Sequence, residues 1–198
     1  MKNILGYPFF YNLFSAIVGG NRAPTILQDE YIKSDKGKRV LDLGCGTARI
    51  INYLDFKEYI GVDSNDKYIN TLKTALPNKK LTFHKCDVNV FFQNNKEQFD
   101  IVLLLGVMHH LNDNELKQCL LNIKQVLKPD GRLITIDGCM EPSLSLFARF
   151  MLKNDRGSYV RTKEGYANIF MNIFDGYKYS VRKDLLKIPY NHIIFFRE

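Results

Sequence analysis

Residues 40–49, VLDLGCGTAR, restrict the fold more than any other stretch of the chain. Val40 to Leu43 is an apolar run with one acid, Asp42, and it leads into Gly44-Cys45-Gly46 and then Thr47-Ala48-Arg49. A strand, a glycine turn and a helix in succession mark a place where a nucleotide-bearing cofactor can lie against the backbone. In the dinucleotide fingerprint a third glycine lets the helix pack close behind a pyrophosphate. Here Arg49 holds that position, and Asp42 would repel a diphosphate. The stretch therefore suits a cofactor with a cationic amino-acid end, a ribose and an adenine, which the glycine turn lets the backbone approach closely.

Strand-like and helix-like segments alternate after residue 39. Val40 to Leu43 reads as a first strand, followed by a helix over Thr47 to Leu54. Tyr59 to Val62 is a second strand, and Ser64 or Asn65 can cap a helix that runs to Ala75. Leu81 to His84 is a third strand, and Phe99 to Leu105, apolar on both faces, is a central parallel one. Asn112 or Asn114 starts an amphipathic helix with Leu116, Leu120, Ile123 and Leu127 inward. Lys128-Pro129-Asp130-Gly131 stops it, and Arg132 to Asp137 is a fifth strand. Ser143 to Lys153 and Lys163 to Phe174 read as helices, Tyr177 to Arg182 and His192 to Phe196 as closing strands. The first thirty residues read as helices around the Gly19–Arg22 turn.

Repeated β-α-β units predict an α/β fold with a parallel sheet covered by helices on both faces. Ligands of such sheets bind beyond the carboxyl ends of the strands. A polar or glycine-bearing segment stands at each of those ends: Asp42–Gly44, Asp63, Asp87, Gly106–His110 and Asp137. Asp63 can accept from both ribose hydroxyls. Asp87 can accept from an exocyclic amine while the Val88 N–H donates to the ring.

A length of 198 residues fits one domain, divided into an N-terminal helical cap (1–38), a cofactor-binding core (39–137) and acceptor-binding helices with closing strands (138–198). Hydrophobic content of 45% and charged content of 25% are those of an ordinary globular protein. No apolar run is long enough to span a membrane, and Pro8 and Asn12 break up the greasy N-terminus, which reads as part of the fold. Cys45, Cys86, Cys119 and Cys139 have no metal or disulfide spacing, so no metal is expected and the location reads as cytoplasmic. Net charge is +7, and residues 149–198 hold ten basic and five acidic side chains. Such a surface is either plain solvated lysine and arginine or a contact for nucleic acid, anionic lipid or a phosphorylated small molecule.

Five segments, VLDLGCGTAR, GVDSN, KCDV, FDIVLLLGVMHHL and LKPDGRLITID, occur in this order between Val40 and Asp137, about half of the chain. Together they resemble the class I S-adenosylmethionine-dependent methyltransferases of the small-molecule type. The resemblance implies a Rossmann-like, doubly wound, seven-stranded and mostly parallel sheet, its last strand antiparallel and inserted between the fifth and sixth. It implies that Gly44 and Gly46 flank the methionine part and that Asp63, with Ser64, serves the ribose. It gives Asp87 and Val88 the adenine, and sets Leu105 and Gly106 beside the sulfonium. Asp42 would order the glycine loop through backbone N–H groups, or face the methionine end through water, or both.

Methyl transfer is an in-line displacement, in which alignment and exclusion of water contribute on the order of 7–11 kcal/mol in the best intramolecular cases. A base is needed only for a poor nucleophile such as a hydroxyl. His109 and His110 follow the fourth strand and are the candidates; each can instead pack and hydrogen-bond structurally. Candidate acceptor contacts lie outside the core: Tyr11 and Arg22 near the N-terminus, and Arg156, Tyr159 and Arg161 in the stretch KNDRGSYVR, residues 153–161. The arginines suit an anionic or polyhydroxyl acceptor, or else clamp the extra helices onto the sheet. The expected function is methyl transfer to a small molecule, at oxygen, such as a sugar or secondary-metabolite intermediate, by a monomer or homodimer. An RNA methyltransferase and a non-catalytic cofactor-binding protein are the alternatives; no appended RNA-binding domain and no N-P-P-Y motif is seen.

Overall fold

The computed structural model describes residues 22–142, 144, 149, 157–187 and 190–197. Its strands are β1 (Arg39–Leu43), β2 (Glu58–Asp63), β3 (Leu81–Lys85), β4 (Phe99–Leu105), β5 (Leu127–Gly138), β6 (Lys178–Arg182) and β7 (His192–Phe196). They form one sheet in the order β3-β2-β1-β4-β5-β7-β6. The first five strands are parallel, and β7 runs antiparallel to both β5 and β6. This is the implied sheet, with its last strand inserted as expected.

Alternation along the strands divides the core between two faces. Leu41, Leu43, Ile60, Val62, Val102, Leu104 and Leu133 share a cluster with Phe91, Leu116, Leu120 and Ile123. Val40, Tyr59, Ile101, Leu103 and Ile134 share the other with Leu27, Ile32, Ile69 and Leu72. The helices that cover these faces are α1 (Arg22–Ile26), α2 (Asp66–Ala75), α3 (Val88–Asn94), α4 (Asp113–Val126) and α5 (Lys163–Met171). β4 has both faces covered, as its unbroken apolar run requires. Among the described residues no helix is long and apolar enough to cross a membrane.

Caps set the helix starts. The Asn112 side chain accepts from the N–H groups of Asn114 and Glu115, and the Glu115 carboxylate accepts from the Asn112 N–H, a complete capping box. Asn65 caps α2 by accepting from the Lys67 N–H.

Five local features differ from the sequence reading. In place of a helix over Thr47 to Leu54 there is a single 3₁₀ turn, Arg49–Tyr53, because Ala48 is left-handed at φ 50° and holds the chain out of an α-helix. Helix α3 was not anticipated, although Asp87 caps it and Val88, Phe91 and Phe92 bury one face at helical spacing. Leu127 begins β5 rather than ending the preceding helix, and α5 stops at Met171 rather than Phe174. The Lys128–Gly131 stop is a bulge: the register passes from Phe99 opposite Leu127 to Ile101 opposite Arg132. Gly131 is needed there, since a Cβ would come within 2.9 Å of the Lys128 carbonyl oxygen and of Leu127. The N-terminal helix α1 runs into a π-helical turn, Leu27–Ile32. The rest of the N-terminal cap and nearly all of the helix expected over 143–153 lie outside the described residues.

Candidate active site

Four segments converge at the carboxyl edge of the central strands. After β1, the Gly44 and Cys45 N–H groups both donate to the Val62 carbonyl oxygen, at 2.7 and 2.9 Å. Gly44 is left-handed, φ 70°, and a Cβ there would lie 2.3 Å from Val107 Cγ2 of the segment after β4. Gly46, φ 55°, has nothing among the described residues within 4 Å of a would-be Cβ. The first glycine thus lets two loops touch, and the second leaves room for a ligand.

Asp63 closes this loop from β2. Its Oδ2 accepts from the Gly46 N–H and its Oδ1 from the Asn65 N–H, each at 2.8 Å. Both oxygens keep a second lone pair for a hydroxyl donor. The neighbouring Ser64 is exposed. Asp87 Oδ1 accepts from the Asn89 N–H at the start of α3, and Val88 is buried at the first helical position. At the end of β4, Leu105 is half-buried, and the Gly106 N–H donates to the Ile136 carbonyl oxygen at 2.7 Å.

Of the two parts open to Asp42, the structure contradicts the first. Asp42 does not order the glycine loop through N–H groups, which bond to Val62 and Asp63 instead. Its Oδ2 accepts from the Tyr59 hydroxyl at 2.5 Å, while Oδ1 is buried without a partner. Burial pushes its carboxyl up to about 7, the Tyr59 hydroxyl opposes that, and Asp63 nearby adds to it.

The two histidines are placed differently. His109 is buried in the 3₁₀ turn Met108–His110, and its Nδ1 lies 2.5 Å from Asp137 Oδ1 at the end of β5. Asp137 also accepts from the Met108 N–H at 3.2 Å and the His109 N–H at 3.1 Å. His110 is exposed, its ring centroid 4.2 Å from that of His109.

The candidate acceptor residues separate. Arg161 is the clamp of the two readings: its guanidinium donates to the carbonyl oxygens of Met108 and Leu111, at 3.0 and 2.8 Å, and to Asp113. That side chain is 11% exposed. Tyr159 is 43% exposed, and its N–H donates to the His109 carbonyl oxygen at 2.9 Å. Arg22 is exposed; it helps Arg182 hold the Asp184 carboxyl down to about 2, at the corner after β6. Tyr11 and Arg156 lie outside the described residues. Among the described residues, no group of three His, Cys, Asp or Glu side chains could hold a metal ion.

Sequence reasoning did not single out the part of Asp137 as partner of His109, of Tyr59 as partner of Asp42, or of Gly157, which packs on the His109 ring. Asp137 was visible only as one of five polar strand ends. The other two carried no sequence signal, because each acts through a residue far away along the chain.

Residues 41–135 match the family described as "Methyltransferase domain". The chain is 30% identical over 125 residues to the mitochondrial "arginine-hydroxylase NDUFAF5" of Mus musculus, covering 56% of this chain and 36% of that protein. It is 30% identical over 121 residues to the mitochondrial "ubiquinone biosynthesis O-methyltransferase" of Bos taurus, covering 57% and 32%. The match thus spans about a third of each of these relatives. A solved structure of the Burkholderia thailandensis 1,6-didemethyltoxoflavin-N1-methyltransferase, with bound 1,6-didemethyltoxoflavin and S-adenosylhomocysteine, superposes with a TM-score of 0.69 at 16% identity. That superposition covers 98% of this chain and 84% of the other. Residues 41–135, carried on this sheet order with glycine turns after β1 and β4, form a methyltransferase domain similar to those of the class I S-adenosylmethionine-dependent enzymes.

Proposed function

We propose that the chain transfers a methyl group from S-adenosylmethionine to an oxygen of a small-molecule acceptor. The observation that carries this reading is the buried His109 beside Gly106, at the edge where the glycine turns leave room for a cofactor. A base there is most useful when the acceptor is a poor nucleophile such as a hydroxyl.

The residues present fit the cofactor. Among the described residues nothing crowds Gly46, and Asp63 presents two carboxylate oxygens for the ribose hydroxyls. Asp87, with the Val88 N–H, serves the adenine. Gly44 lets the loop close against Val107, with Leu105 and Gly106 bordering the sulfonium. The orphaned Oδ1 of Asp42, two residues before Gly44, is an acceptor suited to a cationic amino-acid end. The bound cofactor supplies an electrophilic methyl carbon. The chain's own residues align the acceptor, exclude water and take its hydroxyl proton at His109. Tyr159, exposed beside His109, is the acceptor contact this reading favours, and Tyr11 and Arg156 stand as candidates from the sequence alone. The ubiquinone relative is named as an O-methyltransferase, which supports oxygen; the toxoflavin enzyme is named as an N1-methyltransferase and supports a small-molecule acceptor alone.

The test is transfer of labelled methyl to a panel of small phenols, sugars and carboxylic acids, with total RNA as a parallel acceptor. Label in a small hydroxyl compound is the expected result. Label confined to RNA, falling steeply with salt, would replace this reading with the RNA one.

A further inference from the structure

We propose that Asp137 and Gly157 are positioning residues for His109, holding its imidazole as an oriented base; this rests on His109 being the base proposed above. Two features of the structure point to it, one on each side of the ring.

The first is the carboxylate. The Asp137 side chain is fully buried, and its partners among the described residues come from the Met108–His110 turn. Oδ2 accepts from the Met108 N–H, and Oδ1 accepts from both the His109 N–H and Nδ1. With the proton of the neutral ring on Nδ1, Nε2 becomes the basic nitrogen. The same carboxylate is the counter-ion of the imidazolium that forms when Nε2 takes a proton. Backbone and ring are thus oriented by a single group.

The second is the glycine. A Cβ at Gly157 would lie 1.8 Å from His109 Cδ2 and 2.5 Å from the His109 carbonyl oxygen. No side chain fits there unless the ring moves. On the other side, a Cβ at Gly106 would stand 3.9 Å from His109 Cε1. Nε2 lies between Cδ2 and Cε1 in the ring, so the two glycines flank the edge that carries it. Gly106 borders the expected methyl position.

The covering segment is tied to the turn. Tyr159 donates to the His109 carbonyl oxygen, Arg161 to those of Met108 and Leu111, and the Met140 N–H to that of Arg161. Among the described residues, Asp137 from β5 and His110 on its own turn lie against His109, and Arg161 binds the neighbouring Met108 carbonyl oxygen with Tyr166 of α5 against its guanidinium.

In the transfer step the acceptor oxygen bonds to the methyl carbon as the carbon–sulfur bond breaks, its electron pair staying on sulfur. The hydroxyl proton passes to Nε2, and from the imidazolium it returns to solvent after release.

Imidazole ¹⁵N NMR on the intact protein tests the placement without an acceptor. Wild type should show His109 with its neutral-state proton on Nδ1. Asp137→Asn should lower the His109 pKa by at least about one unit, since an opposite charge close by favours the charged form by that much or more. Gly157→Ala should displace the ring signals, and its melting curve shows that the fold survives. With an acceptor in hand, Asp137→Asn and Gly157→Ala should each lower kcat about tenfold or more, with cofactor affinity within about twofold. The acid limb of the Asp137→Asn kcat profile should move to lower pH. Unchanged His109 titration and tautomer in Asp137→Asn, together with undisturbed ring signals in Gly157→Ala, would overturn the proposal. So would normal turnover in both while His109→Gln is dead. Full turnover in His109→Gln would instead overturn the base reading on which the proposal rests.

Discussion

Asp42 offers the sharpest test of how the cofactor edge is built, because its environment makes stability depend on pH in an unusual direction. The carboxyl is buried, with one oxygen on the Tyr59 hydroxyl and the other without a partner. Burial raises it from the ordinary 3.8 to about 7. At 1.36 kcal/mol per unit, a rise of about three units is of order 4 kcal/mol. Between pH 4 and 7 the folded chain keeps this proton and the unfolded chain does not, so stability falls as pH rises. The contribution is fully present below about pH 4 and is lost once pH exceeds about 7. Asp42→Asn keeps an acceptor for Tyr59 and removes the titration. Urea unfolding of both proteins from pH 4.5 to 8.5 should show wild type losing stability relative to the variant by several kcal/mol, with the difference levelling above about pH 8. Parallel curves would refute the assignment of a neutral, buried Asp42 in the ligand-free protein.

Two further perturbations separate structural from cofactor roles. Arg161→Ala removes charged donors from the Met108 and Leu111 carbonyl oxygens, at a cost of about 1.5–3 kcal/mol. Thermal melting should show a drop of about 3–12 °C for a chain of this size, with the cofactor dissociation constant unchanged; an unaltered melt would remove its clamp role. Gly44→Ala combines a left-handed backbone with a Cβ 2.3 Å from Val107, so it should destabilise by about 1–3 kcal/mol and weaken cofactor binding in calorimetry. Wild-type affinity in that variant would show that the loop does not contact the cofactor.

What the sequence revealed follows from the range of the interaction concerned. β4 spans Phe99–Leu105 as expected, because a doubly buried strand needs an unbroken apolar run. Asn112 and Asn65 were each visible as one of two neighbouring cap candidates because a cap acts within three residues of itself. The 3₁₀ turn after the glycine loop was hidden, since nothing in Thr47-Ala48-Arg49 announces a left-handed alanine. The clamp of Arg161 was one of two open readings: its acceptors are carbonyl oxygens about fifty positions away, and no residue type marks a carbonyl. Tyr59 and Asp42 meet because β1 and β2 pair with Asp42 opposite Gly61, a register that a list of residues does not supply. The hydrogen bond that His109 donates to Asp137 depends in the same way on β4 and β5 ending side by side.

The central claim, that the glycine-lined edge between β1, β2 and β4 holds S-adenosylmethionine, is tested most directly by titration calorimetry with the cofactor and its demethylated product. Wild type should bind both. Asp63→Ala removes a charged acceptor for the ribose and frees the Gly46 N–H, so it should lose about 1.5–3 kcal/mol, roughly ten- to a hundredfold in affinity. Equal dissociation constants for wild type and Asp63→Ala, or binding of NAD as tight as that of the sulfonium cofactor, would contradict it.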